Sequence, residues 1–184
     1  HVMPLAGDGE WVWRRHMAWL REVRPQFNGR LIVGIVTKGR GDHHQYVPLD
    51  DVKATFEGLD AEFVVVPNDV RQVATAAKTK PKSIGEGHTF LKMLAEVETD
   101  EPNTVILYGH TKGVTKGTLT SDRAPHVWAS ALFDTTFRNL SGVVNALDTA
   151  GVCGPFRRSP KNKYFSGTFF GLRAADVFAR KWKQ

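Results

Sequence analysis

The chain has 184 residues, of which 41% are hydrophobic and 24% charged, the composition of an ordinary globular protein long enough to bury one full core. No apolar run approaches the roughly eighteen residues of a membrane-spanning helix, and a single cysteine, Cys153, excludes an internal disulfide and a cysteine-rich zinc site. The net charge of +6 favours anionic partners, and the basic residues are dispersed without a long tail, which favours a phosphorylated ligand over a general nucleic-acid binder.

Residues 2–6, VMPLA, read as a first strand that ends at the turn GDGE, with Asp8 as the N-cap of a first helix. In 11–24 the apolar positions Trp13, Met17, Leu20 and Val23 have helical spacing. Pro25 ends that helix, and the NGR triplet turns the chain. LIVGIV (31–36) is short, continuous and β-branched, as a buried strand is. A polar loop, TKGRGDHHQ, leads to a short helix over 49–57, and AEFVVVP (61–67) is the next buried strand. It ends in Asn68 and Asp69, and the polar segment beyond has no clear assignment.

Helical spacing returns in 87–98 through Phe90, Leu91, Leu94 and Val97, and NTVILYG (103–109) is a third internal strand. The strongest helical pattern spans 125–147, where Trp128, Leu132, Thr136, Leu140, Val144 and Leu147 recur at about one turn. A short segment GVCGPF, a strand in YFSGTFFGLR and a helix over 174–182 complete the chain. There is no repeat and no low-complexity linker, so a single α/β domain is expected over 1–184. Because the chain begins at His1 and not at Met, a short preceding N-terminal segment is also expected.

Buried strands alternating with amphipathic helices predict a mostly parallel sheet with helices on both faces. Ligands of such sheets bind outside the carboxyl ends of the strands. The loops there are 4–10, 37–44, 68–69 and 108–116, and they concentrate Gly, His, Asp and Lys. In 104–115, TVILYGHTKGVT, a strand delivers His110 and Lys112 between Gly109 and Gly113. Lysine suits a phosphate oxygen, and histidine can give or take a proton near neutral pH. The spacing is not that of a P-loop, which excludes an NTPase of that type. A loop whose glycines merely turn the chain, with Lys112 solvated, is the competing reading.

The ordered run ILYGHTKGV, a helix bearing Trp128, GVCGPF at 151–156 and YFSGTFFGLRAADVF at 164–178 resembles the rhamnan-synthesis-F-like proteins and related bacterial proteins of GT-A glycosyltransferase type. The resemblance covers the second half of the chain in order and is looser in the first. It implies a GT-A-like fold and transfer of a sugar from a nucleotide-sugar donor to a saccharide or other hydroxyl acceptor. Such a reaction needs charge neutralisation on the leaving diphosphate and removal of the acceptor's proton. The chain has no Asp-x-Asp motif, so no metal site is assigned, although a divalent cation (Mn or Mg) stays open as a cofactor. Lys112, with Lys116 or Arg157, is expected to take the metal's place.

The same resemblance puts Ser166, Gly167 and Thr168 at the sugar or acceptor pocket, with strand packing at Gly167 as the alternative. Asn68 and Asp69 end a strand where GT-A proteins contact the nucleoside; turn chemistry explains them as well. Asp8 and Glu10 form a carboxylate pair that could activate an acceptor hydroxyl or hold a metal, and a helix cap is the plainer role for Asp8. His43 and His44 lack a third ligand, so an exposed loop prevails over a metal site there. Trp13 belongs to the buried stripe, whereas Trp11 is a candidate platform for a sugar ring. Cys153 is a small buried residue with no activating neighbour. A cytoplasmic location suits the lone cysteine. Two rivals remain: a binding module of the same fold without catalysis, and a basic nucleic-acid-binding accessory protein.

Overall fold

The computed structural model describes residues 1–74, 79–83, 85–99, 101–111, 114, 123–155 and 169–179. The chain divides into two compact units, His1–Glu96 with Gly113–Thr120, and Val97–Lys112 with Ser121–Gln184. It is a mixed α/β protein. Among the described residues no helix is long and apolar enough to cross a membrane.

The first unit is built on two parallel strands, β1 (Leu31–Lys38) and β2 (Ala61–Asn68), in register from Leu31 opposite Ala61 to Lys38 opposite Asn68. Both are β-branched runs, which suits a strand covered on two faces. Alternation along β1 sends Val33 and Ile35 to one face, into a core with Trp13 and Met17 of α1 (Glu10–Val23) and Val52 of α2 (Leu49–Ala54). Gly34 faces the other way, against α3 (Gly85–Glu96): a Cβ there would stand 2.2 Å from Thr89 Cγ2 and 2.3 Å from Met93 Sδ. Helices thus pack on both faces of β1, whereas β2 is more open, with Val65 38% exposed.

Segment 2–6 bridges two neighbours instead of forming a full strand. Val2 pairs in parallel with Ile35, and Leu5 pairs antiparallel with Tyr46. Trp13 is wholly buried and donates its indole N–H to the Leu5 carbonyl at 3.1 Å, which ties α1 to that segment. The polar stretch after Asp69 is an antiparallel hairpin, β3 (Val70–Ala74) with β4 (Thr79–Ser83). Pro81 is tolerated in β4 because a two-stranded ribbon has only edge strands.

The second unit departs from the parallel expectation. Here β5 (Val105–Tyr108) and β6 (Val152–Cys153) both pair antiparallel with β7 (Phe170–Arg173), in the order β5-β7-β6. An apolar run announces a buried strand but carries no information on its partner's direction.

The long helix expected over 125–147 is broken into α4 (Arg123–Phe133), a π-turn at Asp134–Arg138 and α5 (Leu140–Leu147). Asn139 leaves helical geometry at φ −102°, ψ 52°, and its side chain accepts from the Gly142 N–H, starting a new helix. The inserted π-turn rotates the stripe. Val143 and Leu147 point inward, while Val144, expected inside, is 39% exposed. Leu91 of α3 is likewise 52% exposed; Thr89, Met93 and Leu94 form that helix's buried face. A short α6 (Ala174–Phe178) follows β7, and residues 180–182 of the helix expected over 174–182 lie outside the described residues.

Candidate functional site

The carboxyl ends of β1 and β2 hold a buried polar cluster. After β1 the chain turns at Gly39 and at Gly41, whose φ of +74° favours glycine. Gly39 lies so close to the end of β2 that a Cβ would stand 2.3 Å from the Asn68 carbonyl carbon and 2.5 Å from the Asp69 nitrogen. The Arg40 N–H donates to Asp69 Oδ1 at 2.8 Å, and the Val70 N–H to the Arg40 carbonyl at 2.9 Å. These contacts clamp the loop after β1 onto the loop after β2.

The clamp encloses Asp42, whose side chain is fully buried. Its Oδ1 accepts from the His44 N–H at 3.0 Å and from His44 Nδ1 at 2.7 Å. Its Oδ2 accepts from the Tyr46 hydroxyl at 2.6 Å and from Asn68 Nδ2 at 2.8 Å. Burial pushes this carboxyl up, but the bonds from Tyr46, the His44 backbone, Asn68 and the His44 ring outweigh it and hold the group down at about 2. The Tyr46 hydroxyl is pushed well above its usual value, first by burial and then by its bond to Asp42. The result is a carboxylate ionised at neutral pH with four donors around it.

Asn68 is 1% exposed and donates into this cluster. In this structure it supports Asp42 and Tyr46. Asp69 is half-buried and accepts the Arg40 N–H, as a turn residue does.

Asp8 is exposed, within a short 3-10 turn at Gly7–Gly9, and the N-cap of α1 is Gly9 with no side-chain bond. The cap role expected for Asp8 is thus overturned. Gly9 fills that place because a Cβ there would meet Leu5 Cβ at 2.8 Å and the Val114 carbonyl at 3.0 Å. Glu10 is ion-paired with Arg14 at 2.7 Å, one helical turn along. Trp11 is half-buried against the core with the Arg15 guanidinium 4.6 Å over its ring, so it is no open platform.

In the second unit, Gly109 and His110 follow the end of β5. A Cβ on Gly109 would stand 2.7 Å from Phe137 Cε2 and 3.0 Å from Phe169 Cε1, so here the glycine admits two aromatic rings. Phe137 stacks on Phe133 at 5.0 Å and meets Phe169 edge-on at 6.0 Å, and the half-buried His110 ring lies 5.9 Å from Phe169. Gly109→Ala is expected to destabilise the protein by about 1–3 kcal/mol through overpacking, read as a lowered urea midpoint at unchanged slope. Trp128 is half-buried on α4. Cys153 is partly buried with its thiol pushed up by burial, which suits an inert small residue.

Lys112, Gly113, Lys116, Arg157, Ser166, Gly167 and Thr168 lie outside the described residues. Among the described residues no three His, Cys, Asp or Glu side chains are grouped to hold a metal ion. Sequence reasoning named the loop 37–44 but missed Asp42 and Tyr46 in and beside it. The signal was available in GDHHQY: an acidic residue at a glycine turn, with a hydroxyl and an imidazole within four residues. No family model, curated protein or solved structure matches the chain.

Proposed function

We propose that the chain is a glycosyltransferase-like protein of GT-A type that receives a nucleotide-sugar donor at the carboxyl ends of β1 and β2 and passes the sugar to a saccharide or other hydroxyl acceptor. One observation carries this reading: the Asp42-centred cluster lies at the carboxyl ends of a parallel strand pair, the end at which open α/β sheets take their ligands. The order of motifs from ILYGHTKGV to YFSGTFFGLR supports it independently. Asp69 stands at the same end of β2 for the nucleoside side of the donor. From the resemblance alone, and with no placement relative to β1 and β2, Lys112, with Lys116 or Arg157, is the proposed partner of the diphosphate. His110, Asp8 and Glu10 are candidates for proton transfer. A cytoplasmic location belongs to the same proposal.

Calorimetric titration with UDP, GDP, dTDP and CMP, with and without manganese, tests it. One nucleotide is expected to bind, with or without the metal. Lys112→Ala should then weaken it about ten- to a hundredfold, the value of a lost charge-assisted bond. Binding that requires manganese would move the diphosphate contact to carboxylates. Silence from all four would favour a second reading, a binding module of this fold that performs no transfer. One observation already leans that way: Glu10, a candidate base, is engaged by Arg14.

A further inference from the structure

Asp42 and His44 form a pair to which the sugar-transfer proposal assigns no chemical role. An ionised carboxylate can only accept hydrogen bonds. His44 Nδ1 lies 2.7 Å from Asp42 Oδ1, so this nitrogen must carry a proton. The neutral imidazole is therefore the Nδ1–H tautomer, with a bare lone pair on Nε2. Asp42 is fully buried, whereas the His44 side chain is 48% exposed, so the pair joins an enclosed anion to an imidazole that solvent reaches.

The ring bond is more than a loop clasp. The His44 backbone N–H already closes the turn onto Asp42 at 3.0 Å, and the Arg40 bonds already tie the loop to β2. Tyr46 and Asn68 hold the other carboxylate oxygen and fix the plane of the group. What the Nδ1 bond adds is the orientation and protonation state of the ring. A carboxylate holding an imidazole in one tautomer is the arrangement that makes histidine an effective base.

We infer that His44 is the proton-accepting group at the carboxyl ends of β1 and β2, oriented by Asp42, and that it serves a substrate hydroxyl. Asp42 is a positioning residue that acts through His44. The identity of the hydroxyl rests on the sugar-transfer proposal; the state of the imidazole does not. In that transfer the acceptor's proton passes to His44 Nε2 while its oxygen bonds to the anomeric carbon of the sugar. The bond from that carbon to the diphosphate oxygen breaks, its electron pair leaving on the nucleotide, and His44 then releases the proton to water.

Nitrogen NMR of the histidine rings at about pH 8, above the ordinary histidine value near 6.5, reads the tautomer directly. The His44 signals are assigned by their loss in His44→Asn, whose amide still donates to Asp42 but has no counterpart of Nε2. The expected result is a proton on Nδ1 in the wild type, and a shift toward Nε2–H in Asp42→Asn. Hydrolysis of UDP-glucose, GDP-mannose and a dTDP-sugar is then compared between wild type and His44→Asn. A fall of roughly a hundredfold or more, with nucleotide affinity retained, is the loss expected of a general base. A proton on Nε2 in the wild type, or unchanged hydrolysis in His44→Asn, would overturn the inference. If no nucleotide binds the wild type, the donor reading falls by itself, and the tautomer alone decides the Asp42–His44 pair.

Discussion

Asp42→Asn is expected to lower stability at neutral pH by about 2–4 kcal/mol and to remove this carboxylate's share of the protein's acid sensitivity between about pH 5 and pH 2. The substitution keeps the shape but offers one accepting oxygen where the carboxylate offers two. Either the His44 pair of donors or the Tyr46 and Asn68 pair then faces an amide NH2. Buried donors left without acceptors cost about 1–3 kcal/mol each, which sets the range.

The acid dependence comes from the depressed carboxyl, held at about 2 against 3.8 for the free group. A group with a lowered folded-state value stabilises fully above its unfolded value and loses that contribution as pH falls through the folded one. The wild type should therefore lose about 2 kcal/mol between about pH 5 and pH 2 from this residue, and Asp42→Asn should lose less over that interval by about the same amount. Urea denaturation across that interval measures both. A wild type whose stability stays flat, or a variant with the same slope, would contradict this role for the cluster.

Gly39→Ala is the second large effect, at about 3 kcal/mol. The new methyl would press on the backbone of Asn68 and Asp69 and not on a side chain that can swing away. The loop after β1 must then separate from the end of β2. Separation breaks the Arg40 to Asp69 and Val70 to Arg40 bonds and pulls Asp42 away from Asn68. Gly29→Ala makes a fair control, because a Cβ there meets nothing within 4 Å and should change stability by less than about 0.5 kcal/mol. Equal urea midpoints for the two variants would show that the clamp between the two loops is not tight.

Much of the first unit was legible because its strands are short β-branched runs and its first helix has a clear apolar stripe. Trp13, assigned to the core from spacing alone, is wholly buried. The second unit was less legible, since Val105–Tyr108 reads the same whether its partner runs parallel or antiparallel. The stripe from Trp128 to Leu147 continues through the break, so nothing apolar marked Asn139; the cap to Gly142 did, and a periodicity count passes over it. The hairpin over 70–83 was obscured by Arg71, Pro81 and Lys82, which disguise strand alternation. Asp42 was hidden for a different reason. An aspartate beside two histidines looks solvated until Asn68, twenty-six residues on, closes over it.

The donor reading, though not the tautomer of His44, depends on a nucleotide binding at the carboxyl ends of β1 and β2. Backbone amide NMR during titration with the best-binding nucleotide reads that location residue by residue. The largest shifts are expected at Arg40, His44 and Asp69, with β3 and the exposed face of α3 unmoved. Saturable shifts confined to other segments, with Arg40, His44 and Asp69 silent, would place the nucleotide elsewhere and contradict the proposal.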